Sequence, residues 1–264
     1  MKHTSKKRKL RSGRTIKKRQ VSHHVTNNIR LQTMLKNLLL NARTLSNKNQ
    51  SRWAQKSTFP VSGSELPFLP DSWKPWNQKS NCYMYAFNEK KACSKTRITG
   101  TPGSAVNWDT SFEGTCSDLA FRLLADHFLT PKMVADMPVS QRKRHLLKLM
   151  RTYKNGQNNA TEKVNVFLVK PKQACPRGFY KTFMMMALNP DGSLRDYHFA
   201  RQDPDGFFSH KRGWTNEGPI RVDASGKRIS DPLTADWDYA KGDPFGLNYS
   251  KPCSFFCMRK KTSD

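Results

Sequence analysis

Two histidines twelve residues apart are the side chains of this sequence best placed to do chemistry. His198 and His210 belong to the stretch LRDYHFARQDPDGFFSHK, which predicts two short strands, Leu194–Gln202 and Phe207–Lys211, joined by the turn Asp-Pro-Asp-Gly. Proline favours the first position of such a turn, and glycine supplies the positive φ that closes it. Pairing of the strands would bring the two imidazoles together, one as a general base and one as the group that orients it.

A cysteine at the start of a predicted helix is the candidate nucleophile. Asn81 is a good N-cap, and the aromatic and apolar residues after it predict a helix that begins at Cys82. A thiol in the first turn of a helix lies near unpaired N–H groups and the positive end of the macrodipole, which favour the reactive thiolate. Cys116 is a second candidate, because it opens another predicted helix. For either residue the alternative is a small buried thiol in a core helix.

The order of these residues resembles that of papain-like cysteine hydrolases. In that fold a cysteine at a helix start is followed by a histidine on a strand and a polar residue on the next strand. The hairpin is similar to that of the NlpC/P60 hydrolases, whose two histidines lie about a dozen residues apart on neighbouring strands. The resemblance implies Cys82 as nucleophile, His198 as base and His210 as the orienting group, with Asp196 and Asp223 as alternatives to His210.

A second resemblance rests on two longer motifs. The segments Asn81–Ala86 and His198–Lys211 are similar to Asn-Cys-Tyr-x-Tyr-Ala and His-x-x-Arg-x-Asp-x-x-Gly-x-x-Ser-His-Lys, which occur together in a set of proteins from bacteria and large DNA viruses. The segments Ile229–Pro232 and Phe255–Cys257 follow in the same order. The match covers about residues 80–258, and it implies a shared fold without implying an activity.

Positive charge is concentrated at the N-terminal end of the chain. The 264 residues include 47 Lys and Arg against 20 Asp and Glu, a net charge of +27. Residues 1–64 hold 16 of the basic residues and none of the acidic ones, which leaves 31 against 20, or +11, from residue 65 onward. The natural partners of such a polycation are phosphate backbones, anionic membrane surfaces and acidic protein faces.

Residues 1–24 are predicted to be a basic arm that binds nucleic acid or neighbouring capsid subunits. The arm resembles those of viral capsid proteins, ribosomal proteins and histones, and its clusters are also typical of nuclear-targeting signals. A solvated tail is the alternative. We therefore expect a virion-associated structural or assembly protein of the minor-capsid type, with an active cysteine peptidase or amidase as the alternative. The expected polyanion-binding residues are Lys6, Lys7, Arg8, Lys9, Arg11, Arg14, Lys17, Lys18 and Arg19.

Three further segments follow the arm. Residues 25–45 predict an amphipathic basic helix that packs on its own domain, on a partner or on a membrane surface. Residues 46–80 predict a linker, because four prolines oppose regular structure while three tryptophans and a phenylalanine supply side chains to bury. Residues 81–264 are predicted to form the Cys-His hydrolase-like domain.

That domain is predicted to be α+β, a helical half followed by an antiparallel sheet. The sequence predicts helices at Cys116–Phe128 and Gln141–Tyr153. Strands at Val164–Val169 and Phe179–Leu188 would then continue through the hairpin as a four-stranded meander, with a final strand near Cys253–Cys257.

The six cysteines are too few for a disulfide scaffold in a chain of this length, so we expect free thiols in an intracellular, reducing compartment, in the nucleus or in a virion. Cys253 and Cys257 have poor spacing for zinc and lack a second pair, and we expect no metal or other cofactor. No apolar run approaches the about 20 residues that span a bilayer, and the basic N-terminus lacks the apolar core of a secretory signal.

Overall fold

Helices precede an antiparallel sheet in the part of the chain that the structure describes, which confirms the α+β class. The structure is a computed structural model and describes residues 32–33, 35–37, 57, 59–90, 100–106, 108, 113–155, 165–241 and 246–260. Two 3₁₀ helices, Pro70–Lys79 and Ser104–Val106, accompany the α-helices. Among the described helices, none has the length and hydropathy needed to cross a bilayer. The α-helices are α1 (Cys82–Ala86), α2 (Cys116–Phe128), α3 (Pro131–Ala135) and α4 (Val139–Asn155).

The sheet has five antiparallel strands in the order β1-β5-β2-β3-β4. The final strand was predicted, and the structure confirms it. The predicted meander is wrong at one place, because β5 lies between β1 and β2 and hydrogen-bonds to both. The strands are β1 (Val166–Val169), β2 (Phe179–Leu188), β3 (Leu194–Gln202), β4 (Phe208–His210) and β5 (Lys251–Arg259).

Both faces of this sheet are buried. Side chains alternate between the faces along each strand, and nine of the ten residues of β2 are buried, so that strand is apolar almost throughout. One face, which we call the helical face, packs on α1 and α2 and includes Met184, Met186 and Phe199. The opposite face, the loop face, includes Met185 and Phe183 and is covered by loop residues within 229–239 and 247–249.

Local signals set the helix starts and the hairpin as predicted. The Asn81 side chain accepts the N–H of Met84 at 3.1 Å and caps α1, while the Thr115 hydroxyl caps α2. In the hairpin turn the Gly206 N–H donates to the carbonyl of Asp203 at 2.9 Å, and Gly206 has a φ of +83°. These groups would otherwise be unpaired at the ends of their elements.

The linker prediction for residues 46–80 is wrong for residues 70–79, which form a 3₁₀ helix. Pro70 lies in its first turn, where proline is tolerated because the N–H is unpaired anyway. Trp73 anchors this helix, since its ring is buried edge-on against Tyr85 at 5.0 Å. Residues 32–33 and 35–37 are helical, and Leu35 is buried in the helical-face core. The basic arm and the rest of the predicted helix 25–45 lie outside the described residues.

The prediction of free thiols is wrong for four cysteines. Disulfides join Cys116 to Cys253 and Cys175 to Cys257, with Cα–Cα distances of 5.3 Å and 5.6 Å. Cys253 belongs to the helical-face core and Cys257 to the loop-face core, so β5 is linked to another part of the chain on each face. Among the described residues Cys82 is the free cysteine, and it is buried.

We predict that the double variant Cys175→Ala/Cys257→Ala lowers the free energy of unfolding by about 4 kcal/mol, because a cross-link over a separation of 82 residues restricts the unfolded chain. Urea denaturation without reductant measures the change. Cys93→Ala, which removes a thiol outside both pairs, is the matched control. Equal stability of the double variant and the control would show that this disulfide does not form in solution.

Candidate functional site

Cys82 and His198, the predicted nucleophile and base, pack against different hydrophobic clusters. Cys82 packs in the helical-face core, with its Sγ 3.8 Å from the carbonyl oxygen of Tyr197. His198 is opposite Met185 in the β2–β3 ladder and stacks on Tyr249 at 4.8 Å, and both of these residues belong to the loop face. Among the described residues no hydrogen bond joins Cys82 to His198, and their catalytic pairing stays a prediction.

Burial also disfavours the thiolate form of Cys82. Burial raises its pKa from 9.0 to about 12, and the carboxylate of Asp196 adds to the rise. The backbone N–H groups of Phe199 and Tyr83 favour the thiolate, but burial outweighs them. The start of α1, a helix of only five residues, is closed from water, and this burial opposes the thiolate that was predicted there. Cys116, the other candidate, is held in a disulfide.

The two histidines do meet, as the hairpin predicted. His198 Nε2 lies 2.9 Å from His210 Nδ1, and His210 Nε2 lies 3.0 Å from the carbonyl oxygen of Val222. A carbonyl only accepts, so the proton of His210 is on Nε2 and its Nδ1 accepts from Nε2 of His198. Nδ1 of His198 then carries the free lone pair. The hydroxyl of Tyr239 lies 3.2 Å from His210 Nε2 as well.

Burial keeps both histidines neutral. It lowers the pKa of His210 from 6.5 to about 4 and that of His198 well below its usual value, where the neighbouring imidazole adds to the effect. The alternative orienting groups have other roles. Asp196 accepts the hydroxyl of Tyr249 at 2.7 Å, and Asp223 accepts backbone N–H groups of its own loop. The histidine pair is thus a buried, uncharged connection between β3, β4 and the loop at residue 222.

The other polar residues of the hairpin motif hold α1 against the sheet. The guanidinium of Arg201 is buried, donates to the carbonyls of Tyr85 at 3.2 Å and Pro67 at 3.3 Å, and stacks 4.1 Å over the Tyr85 ring. The hydroxyl of Ser209 lies between the Tyr85 hydroxyl at 2.7 Å and the Asp203 carboxylate at 2.8 Å. The sequence analysis did not predict this structural role, although the residues that perform it belong to the two motifs.

Both ends of the motif pair also satisfy backbone groups. Nδ2 of Asn81 donates to the carbonyl of Gly100 at 2.6 Å, and Nζ of Lys211 donates to the carbonyl of Gly213 at 2.8 Å. Burial lowers the pKa of Lys211 to about 8. The motifs thus fix the backbone around α1 and β4.

No family model, curated protein or solved structure matches this chain. Its chemistry is therefore argued from geometry alone. Within the described ranges, no group of three or more His, Cys, Asp or Glu side chains could hold a metal ion.

A cleft of about 220 Å³ opens on the loop face beside the histidine pair. Trp237 and Tyr249 line it, and both rings also contact His198. Sequence reasoning missed the cleft. The one sequence feature that could have indicated the cleft is Asp-Trp-Asp-Tyr at residues 236–239, an acidic and aromatic stretch in a strongly basic chain. The remaining lining residues are Phe183, Pro232, Leu233, Ala235, Asp236, Asp238, Asn248, Ser250 and Pro252.

We predict that folded protein resists alkylation at Cys82 by iodoacetamide at neutral pH, because the thiol is buried and protonated. Peptide mapping by mass spectrometry should find Cys82 modified only after denaturant is added, and the denatured sample is the positive control. Rapid modification in the folded state would restore the thiolate interpretation.

We predict that the free energy of unfolding of the wild type, relative to that of His210→Phe, decreases by about 3 kcal/mol as the pH falls from 6.5 to 4. Over that range the unfolded chain binds a proton at this histidine and the folded chain does not, so acid destabilises the wild type through His210 and the variant lacks this contribution. Urea titrations of both proteins across the range measure the difference. A constant difference would show that His210 is charged in the folded protein.

Proposed function

We propose that this chain is a structural or assembly protein that binds nucleic acid through its basic arm, in a virion or another nucleic-acid-containing particle. The observation that carries the proposal is the distribution of charge: residues 1–64 hold 16 Lys and Arg and no Asp or Glu. A segment with that composition carries no internal counter-charge. Its cations are therefore free to neutralise phosphates and release the condensed counterions.

Two features of the body favour this proposal over the enzymatic alternative. A cysteine hydrolase needs a thiolate within hydrogen-bond reach of its base. Here burial raises the pKa of the Cys82 thiol, and among the described residues no hydrogen bond joins that thiol to His198. The resemblance to NlpC/P60 hydrolases stays a prediction about fold, and the body is proposed to act without catalysis.

In this proposal the body is the scaffold that presents the arm. The disulfides join β5 to α2 and to the loop at Cys175, and the buried Arg201 contacts join β3 to α1. Recognition by the arm is electrostatic and independent of base sequence, since Lys and Arg contact phosphates rather than base edges. Neighbouring subunits with acidic surfaces are the arm's other partners.

We predict that replacing nine basic residues of the arm by Gln abolishes most non-specific binding to duplex DNA at low salt. The slope of log affinity against log salt should fall by about 0.9 for each phosphate that the arm no longer neutralises, and six neutralised phosphates correspond to a drop in wild-type affinity of about a thousandfold between 50 and 200 mM salt. Fluorescence anisotropy over a salt series measures both. The nine residues are Lys6, Lys7, Arg8, Lys9, Arg11, Arg14, Lys17, Lys18 and Arg19.

A chain with residues 1–24 scrambled, at unchanged composition, is the matched control and should bind like the wild type because the interaction is electrostatic. DNA binding that survives the nine substitutions would remove the nucleic-acid proposal. Binding that disappears on scrambling would show a sequence-specific arm instead.

A further inference from the structure

The loop-face cleft is lined by apolar and aromatic side chains. Phe183, Leu233 and Pro252 are among the apolar lining residues, and Trp237 and Tyr249 are the large aromatic ones. Trp237 is fixed by a hydrogen bond from its Nε1 to the carbonyl of Pro232 at 2.8 Å, and Tyr249 is fixed by its hydroxyl on Asp196. Since both aromatic rings are already held in place, a ligand would lose little ordering entropy in using them.

Two carboxylates, those of Asp236 and Asp238, line the same cleft. Oδ2 of Asp236 already accepts a cation, because Nζ of Lys241 lies 2.9 Å away. This pair is exposed, with 67% of the Lys241 side chain open to solvent, and exposed ion pairs contribute little to stability. A second cation can therefore take the place of Lys241 without disturbing the fold.

This combination fits the end of a long cationic side chain. Lys and Arg bury their methylene stems on apolar surface and keep the charged head at polar groups. The head would meet the carboxylates, and the aromatic rings add a favourable interaction with a cation. Anions are disfavoured there by Asp236 and Asp238, so the cleft is selective for positive charge in a chain that is otherwise basic.

We propose that this cleft binds a Lys or Arg side chain from the basic arm, residues 1–24, of a second copy of this chain. The inference rests on the arm of the proposed function and gives it a protein partner. Charge complementarity selects the arm, since residues 1–64 carry 16 cations without an acidic residue. Leu35 packs in the helical-face core, whereas the cleft lies on the loop face. The arm of a neighbouring copy can approach the cleft directly from the loop face.

Such a contact is heterologous, because the arm of one subunit occupies the cleft of the next. Contacts of this type generate rings when the rotation closes and filaments or lattices when it does not. The cleft would then act as the receiving site in assembly, and nucleic acid would compete with it for the same cations.

Zero-length cross-linking with a carbodiimide tests the contact on the full-length chain. A mixture of ¹⁵N-labelled and unlabelled protein at low salt should yield cross-linked peptides that join Asp236 or Asp238 of one isotope to arm lysines of the other. Cross-links confined to one isotope would overturn the proposal in favour of the chain's own arm. Cross-links no more frequent than those at the exposed Asp191 would overturn it altogether.

Sedimentation velocity provides the second measurement. Asp236→Asn/Asp238→Asn should weaken concentration-dependent association at low salt at least tenfold, while Asp71→Asn/Asp191→Asn, with the same change in charge, should associate like the wild type. Equal association of the two double variants, or a wild type that stays monomeric, would overturn the proposal.

DNA anisotropy on the same proteins separates the two proposals. Asp236→Asn/Asp238→Asn should bind DNA at least as tightly as the wild type, because its arm is intact and is free of a competitor. If DNA binding depends on the arm but the cross-links are absent, the cleft inference fails and the nucleic-acid function stands. If the cross-links form but DNA binding does not depend on the arm, the nucleic-acid function fails and the cleft contact stands.

Discussion

Coverage of the sheet on both faces decides which residues of this protein can meet. A side chain on β2 or β3 is committed to one of two separate cores, and neighbours in sequence are on opposite sides. Polar groups that enter either core must be paired there. On the helical face Arg201 and Ser209 are paired with α1, and on the loop face His198 and His210 are paired with each other. The motif residues thus divide into two networks, one for each face.

Those networks give the motifs a physical meaning that does not need catalysis. Each polar member replaces a hydrogen bond that water would otherwise make, and each joins segments far apart in the chain. Arg201 joins β3 to α1 and to residue 67, and His210 joins β4 to the loop at residue 222. Loss of one member would leave its partner buried and unpaired, which is costly whatever the protein does.

Sequence reasoning succeeded where the signal was local. The helix starts at Cys82 and Cys116 and the turn at residues 203–206 are each fixed by a few adjacent side chains, and all three are found in the structure. It failed where the outcome depended on distant segments. Alternation along β3 does not tell which face of the sheet α1 covers, because that face is set by tertiary packing. The insertion of β5 and the two cysteine pairings depend on distant segments in the same way.

The position of β5 has a consequence for synthesis on the ribosome. This strand comes last of the five along the chain, yet it is the bridge between β1 and β2. A nascent chain that has emerged only as far as β4 therefore displays two apolar strands whose backbone groups await a partner, and such edges attract foreign strands. Domains tend to fold as units while synthesis proceeds from the N-terminus. In this domain β5 cannot pair with β1 and β2 until translation has passed residue 259. A chaperone that covers β1 and β2 would protect the nascent chain until then.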